Sequence, residues 1–255
     1  MSNGNYEEDW AGYFCTIGDG QIGAVMVDIG LAQIAPVESK SFLLTFTTKM
    51  NNPTEDGLSS ENETDKLNQI EEDLIESLVT KNEVIYTGRI KFSGKMQSYF
   101  YSENIAGLEA AISNLIANFP DYSFEHKFTE EKNWEAYFEV LYPSPFEMQV
   151  IQNGRVIENL EKHGDKLEKE RLVEHWIYFQ SEIDREHFLE AIKGEGFEMV
   201  NKDTTSFGDS PFSLQLSRID KADYQSVNEY VMNLWGKAQE FNADYDGWET
   251  FIVKD

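Results

Sequence analysis

Phe241-Asn242-Ala243-Asp244-Tyr245-Asp246-Gly247-Trp248-Glu249-Thr250-Phe251 follows a strongly patterned segment and reads as the last helix-to-strand step of a compact domain. Just upstream, Tyr224, Val227, Tyr230, Val231, Leu234, Ala238 and Phe241 make one apolar stripe at helical spacing. The stripe predicts a helix over residues 220–241, capped by Asp220 with Asp223 three residues on. Working backwards, residues 171–179 and 197–201 read as strands, with a helix over 184–193 between them that stops at Gly194-Glu195-Gly196. Residues 212–219 and 245–253 read as two more strands. A further helix over 146–163 precedes them all, with Val150, Ile157 and Leu160 facing inward.

Leaving that first helix aside, the order is β-α-β-β-α-β. It is the split βαβ, or ferredoxin-like, arrangement, in which two helices cover one face of a four-stranded antiparallel sheet. The N-terminal half has a related order. Gly18-Asp19-Gly20 separates two β-prone runs, 10–17 and 21–29, as a hairpin, and 41–48 is a third strand. Leu67, Ile70, Leu74 and Leu78 mark an amphipathic helix that Thr64 caps, followed by a second hairpin, 83–92 and 95–102, turning at Ser93-Gly94. A helix from Ile105 to Phe119 and a strand over 122–128 come next, then a closing helix through Trp134, Tyr137, Phe138 and Leu141, capped by Thr129. Leu141-Tyr142-Pro143-Ser144-Pro145 breaks regular structure, because each proline removes a backbone donor and restricts its predecessor. The expectation is therefore an α+β chain of two domains: 1–144, an antiparallel sheet with helices packed on one face, and 145–255, a ferredoxin-like sandwich.

Charge narrows the partners. The chain has 255 residues, with 47 Asp/Glu against 21 Lys/Arg and a formal charge of −26. The excess is spread: 9 Lys/Arg face 24 Asp/Glu in residues 1–144, and 12 face 23 in residues 145–255. Such a field repels phosphate backbones and anionic membrane surfaces, and it attracts basic proteins. Direct nucleic-acid binding and membrane association are disfavoured on this ground. One cysteine, Cys15, cannot form an intrachain disulfide, and the start Met1-Ser2-Asn3-Gly4-Asn5-Tyr6-Glu7-Glu8-Asp9 lacks a basic region followed by an apolar one. Both point to a cytoplasmic protein.

Two resemblances add to this reading. The run with Asp246-Gly247-Trp248, together with Arg171 to Phe179 (Leu172-Val173-Glu174-His175-Trp176-Ile177-Tyr178) and Gly196-Phe197, resembles the family of the ribonuclease E inhibitor RraB. That resemblance implies a non-enzymatic protein that binds a ribonuclease, whose basic segment would suit the acidic chain. Residues 10–143 are similar to the domain-of-unknown-function family 695, through Trp10, Tyr13, Asp28-Ile29-Gly30-Leu31, Gly88-Arg89, Tyr99-Phe100-Tyr101, Trp134, Tyr137 and Leu141-Tyr142-Pro143. It implies a companion module with no activity to carry across.

The candidate contact residues are Trp176, Tyr178, Asp244, Asp246 and Trp248. The three aromatics are expected on the uncovered face of the C-terminal sheet, where they anchor a protein partner; stacking of RNA bases there is opposed by the charge and by sparse basic flanks. Asp244, Asp246 and Glu249 are concentrated enough to suggest a Mg²⁺ site, but the strand separates Asp246 from the other two, and Gly247 marks a bulge or a close approach. His163, His175 and His187 lie twelve residues apart, a spacing that puts no two on one helix face, so they read as surface or half-buried residues. Glu61, Glu63, Asp65, Glu71, Glu72, Asp73 and Glu76 read as a solvated helix face that can alternatively dock an Arg-rich segment. No cofactor, metal or catalytic residue is assigned. The competing reading is a hydrolase or metal-dependent enzyme with a site between the two domains.

Overall fold

The computed structural model describes residues 6–82, 84–204 and 210–254. Residues 1–5, which open the N-terminal stretch read above, and Glu83, the start of a predicted strand, lie outside the described residues. The chain divides into two compact units, Met1–Glu147 and Met148–Asp255. Among the described residues no helix is long and apolar enough to cross a membrane.

The first unit contains β1 (Trp10–Ile17), β2 (Gln21–Asp28), β3 (Phe42–Lys49), α1 (Glu61–Asn82), β4 (Ile85–Phe92), β5 (Lys95–Ser102), α2 (Leu108–Asn118) and β6 (Ser123–Glu130). Its sheet runs β1-β2-β4-β5-β3-β6, antiparallel throughout. Both helices lie on one face, where Ile70, Leu74 and Leu78 of α1 and Leu108, Ile112 and Leu115 of α2 bury against Leu44, Phe46 and Phe100. Period-3.6 and period-2 apolar patterns meet there, and each large side chain so buried contributes about 1.5–3 kcal/mol.

The other face is closed by the segment around Trp134. That indole stacks on Tyr101 at 4.1 Å between centroids and donates its N–H to the Lys40 carbonyl at 2.8 Å. The Tyr137 hydroxyl donates to the Asp28 carbonyl, and the Tyr13 hydroxyl to the Leu141 carbonyl, both at 2.9 Å. The expected regular helix here is corrected to a π-helical turn, Ala136–Leu141, that Trp134 enters with a left-handed φ of 56°. Thr129 does not cap it, because β6 continues to Glu130. Thr64 is likewise inside the first turn of α1, its hydroxyl donating to the Ser60 carbonyl. Two of the seven acids on α1 also turn inward. Glu63 accepts the backbone N–H groups of Asn51 and Asn52 at 2.6 and 2.7 Å, and buried Glu71 accepts from Arg89 and Tyr86.

Beyond them come α3 (Pro145–Lys162), β7 (Arg171–Phe179), α4 (Glu182–Ala191), β8 (Glu198–Thr204), β9 (Phe212–Asp220), α5 (Tyr224–Glu240) and β10 (Ala243–Thr250). The sheet order is β10-β7-β9-β8, all antiparallel, with this unit's last strand beside its first. A split βαβ unit produces this order. Ile157 and Leu160 of α3, Phe188 of α4 and Val227, Val231 and Leu234 of α5 join Val173, Ile177, Leu214 and Leu216 of the sheet in one core. The cap of α5 is Asp223, which accepts the Ser226 N–H at 3.0 Å; Asp220 instead ends β9 in an ion pair with Arg218.

Candidate functional site

Alternation along β7 decides what each sheet face carries. Val173, His175, Ile177 and Phe179 are fully buried against the helices, so Leu172, Glu174, Trp176 and Tyr178 point the other way. Directly paired residues share a face, and the register therefore adds Ser213, Gln215, Ser217 and Ile219 from β9, Asp244, Gly247 and Glu249 from β10, and Glu198, Asn201 and Asp203 from β8. The described residues of this outer face include five carboxylates, Glu174, Glu198, Asp203, Asp244 and Glu249, and no Lys or Arg. The three cations of the neighbouring positions, Arg171, Arg218 and Lys202, go inward. Arg218 pairs with Asp220 and lies over the Phe197 ring at 4.2 Å, while Lys202 reaches Glu186 of α4 at 2.9 Å.

Between the acids lies apolar surface. Leu172 and Ile219 are direct cross-strand partners, 39% and 58% exposed, and Trp176 and Tyr178 are half-buried. Trp176 sits opposite Gly247, which offers no side chain to cover the indole. Glu174 is fixed by the Gln215 amide at 2.9 Å, and Asp244 by the Ser210 hydroxyl at 2.8 Å. Both acids are thus partly preorganised by neutral donors.

Trp248 does not belong to it, which corrects the expected grouping of the three aromatics. The register of β10 shifts between Tyr245 and Gly247, leaving Asp246 as the extra residue of a bulge, and Gly247 takes a φ of 142° that favours glycine. Beyond the bulge Trp248 pairs with His175 and joins the core at 7% exposure. Its indole N–H donates to the Asn153 side-chain carbonyl at 3.0 Å, and the Asn153 amide donates in turn to Asn228 of α5. Asp246 lines a cavity of about 420 Å³ with Asn153 and Trp248, away from Asp244 and Glu249. Of the five expected contact residues, the outer face brings together Trp176, Tyr178 and Asp244.

His175 is also corrected: it is completely buried. Its Nδ1 lies 2.8 Å from the Tyr245 hydroxyl, its Nε2 has no hydrogen-bond partner among the described residues, and its ring meets Phe197 and Tyr230 edge-on. Burial, aided by the Arg218 charge, lowers its pKa to about 3, so the imidazole is neutral at ordinary pH. At the sheet's end, Arg171 donates both to Asp165 and to the Phe251 carbonyl, while Asp165 also accepts the Val253 N–H. Burial alone raises a carboxyl's pKa, but here the hydrogen bonds from Arg171, Val253 and Leu167 outweigh it and hold Asp165 at about 2. Among the described residues no group of three or more His, Cys, Asp or Glu is placed to hold a metal.

Sequence reasoning missed Leu172, Ile219 and Asn153. Period-2 counting from Trp176 reaches Leu172 directly, whereas nothing local in the sequence marks an asparagine on α3 as the partner of an indole 95 positions away.

Comparisons with known proteins fall into the same two parts. A family model described as a family of unknown function, DUF695, matches residues 8–142, and one described as regulator of ribonuclease activity B matches residues 150–250. No curated protein matches. Of the solved structures, an unknown protein from Galdieria sulphuraria is similar at 13% identity, covering 81% of this chain and 96% of its own, with a TM-score of 0.22. A putative glycine cleavage system transcriptional repressor is 9% identical, covering 82% and 98%, with a TM-score of 0.21.

Proposed function

We propose that this chain, which belongs to the DUF695 family of unknown function, is a non-enzymatic regulator that works by binding another protein through the outer sheet face of its second unit. The match of residues 150–250 to a regulator of ribonuclease activity supports a ribonuclease, or an assembly that contains one, as the partner. The observation that carries the reading is the outer face itself, whose described residues include five carboxylates, no basic side chain, and Trp176, Tyr178, Leu172 and Ile219 among them. Apolar anchors ringed by one sign of charge suit a partner segment rich in Lys and Arg with some apolar side chains. Charge complementarity steers and orients the encounter, and burial of the indole supplies short-range affinity. An RNA strand would meet the same carboxylates as repulsion.

The test is calorimetric titration of the full chain with a purified ribonuclease that carries a basic segment, alongside Trp176→Ala and Tyr178→Ala. Each substitution is expected to weaken binding by about 2 kcal/mol, roughly thirtyfold, as truncation of an interface anchor does. Affinity should also fall as salt is raised. Equal affinity for the wild-type chain and for the double variant would remove this face from the function. Tight binding of the chain to bare RNA at low salt would replace the reading altogether.

A further inference from the structure

The first unit has a second surface that its fold leaves open. α1 packs on β4 and β5, and the sheet continues past the flank of that helix through β2 to β1. A cavity of about 530 Å³ lies along this flank, within the range of small-molecule sites. Glu71, Ile75 and Val79 face it from α1 at i, i+4 and i+8, while Trp10, Met26 and Tyr86 face it from the strands.

Its charged groups are distributed unevenly. Arg89, on the cavity wall, donates to Glu71 at 2.6 Å, and the Tyr86 hydroxyl donates to the same carboxylate. Asp28 receives the backbone N–H groups of Asp9 and Gly30 at 2.8 and 3.0 Å and the Tyr6 hydroxyl at 3.0 Å. Glu8 is exposed and is held by a neutral donor, the Trp10 indole N–H at 3.1 Å. The indole itself is 39% exposed and stacks on Tyr86 with centroids 5.5 Å apart, so its orientation is fixed from two sides. Among the described lining residues are three carboxylates and one guanidinium, a negative formal balance, as it is for the whole chain at −26.

We propose that this cavity binds an organic monocation: a primary or alkylated ammonium with an apolar tail. The ammonium pairs with the Glu8 carboxylate held at the edge of Trp10, and the ring quadrupole of the indole, a lining residue, adds to the attraction of the charge. The tail lies along Ile75, Val79 and Met26, where removal of its CH₂ groups from water supplies the remaining affinity. Anions are excluded by the balance of charge, and a neutral tail keeps only the apolar part of the attraction. The site uses nothing from the outer face of the second unit, so the two readings stand or fall separately.

The test compares hexylammonium, hexanol and hexanoate, which share a tail and differ in charge, titrated into the full chain by calorimetry and by indole fluorescence. Hexylammonium is expected to saturate with a Kd at least tenfold below that of hexanol, and hexanoate should not bind. Glu8→Gln, a change at an exposed position that keeps the indole hydrogen bond, should raise the Kd for hexylammonium about five- to tenfold. Trp10→Phe should remove the fluorescence response while retaining calorimetric binding. Three results overturn the proposal: hexanoate or hexanol binding within twofold of hexylammonium, no saturable heat with hexylammonium, or a Kd unchanged in Glu8→Gln. The last would mean attraction to an acidic protein at large.

Discussion

The two faces of the second sheet are made by alternate residues of the same four strands, yet they treat polar groups in opposite ways. On the inner face the polar atoms of Trp248, Asn153, Tyr245 and Arg171 are tied to internal partners, because a buried group without one costs about 1–3 kcal/mol. On the outer face Glu174 accepts from the Gln215 amide and Asp244 from the Ser210 hydroxyl, both neutral donors. One face is organised for stability and the other is the one proposed for encounter, and a substitution should reveal which side it is on by what it disturbs.

The largest contrast is between the two tryptophans of adjacent strands. Trp248→Ala empties a core site and leaves the Asn153 carbonyl with the Gln149 amide as its donor, for an expected loss of about 3–5 kcal/mol in urea unfolding. Trp176→Ala should change stability far less and act on partner affinity instead. If Trp176→Ala destabilised the chain as strongly as Trp248→Ala, the division between the faces would be wrong.

His175 sharpens the inner side. Its folded pKa is about 3 against about 6.5 when unfolded, so between these values the unfolded chain holds a proton that the folded one refuses. Stability from this group is complete above about pH 6.5 and is lost as pH falls, by about 2 kcal/mol at pH 5. Asp165, held at about 2 against an ordinary 3.8, loses its contribution mainly below about pH 4, under the pH 5 comparison. Urea titrations of wild type and His175→Phe at pH 7 and pH 5 read the difference directly. An equal acid loss in both would mean that the imidazole is not the buried neutral group described.

A smaller effect is expected at the bulge. Gly247 has open space around it and a φ of 142°, so Gly247→Ala should cost about 1 kcal/mol through backbone strain alone. The smallest effect belongs to Glu174→Lys. Stability should move by less than about 0.5 kcal/mol, while association with a basic partner slows and its salt dependence shrinks. A large stability change there would show that the outer carboxylates serve the fold.

Much of the architecture was legible from residue pattern alone. Residues 171–179 are rich in β-branched and aromatic side chains and the strand spans Arg171–Phe179 as expected, and the stripe from Val227 to Ala238 gives α5 its buried face. Face assignment on β10 was harder to read, and the reason is physical. Strict alternation puts Trp248 on the same side as Asp244, and a single inserted residue, Asp246, reverses every side chain after it. The burial of His175 was equally invisible, since it depends on Tyr245, Tyr230 and Phe197 converging from three other elements. The same holds for Glu63 and Glu71, whose partners lie in a loop and on β4.

At the sheet's other margin, β8 leaves Met199 and Val200 about half exposed on a strand with one free side. A straight, apolar margin of that kind can recruit a second molecule and begin a fibre. The register break between Met199 and Asn201 bends it, and the ionic side chains of Glu198, Lys202 and Asp203 interrupt its apolar run. Deleting Val200 would straighten that margin, and concentrated solutions of the shortened chain should then scatter light and bind thioflavin where the parent stays clear.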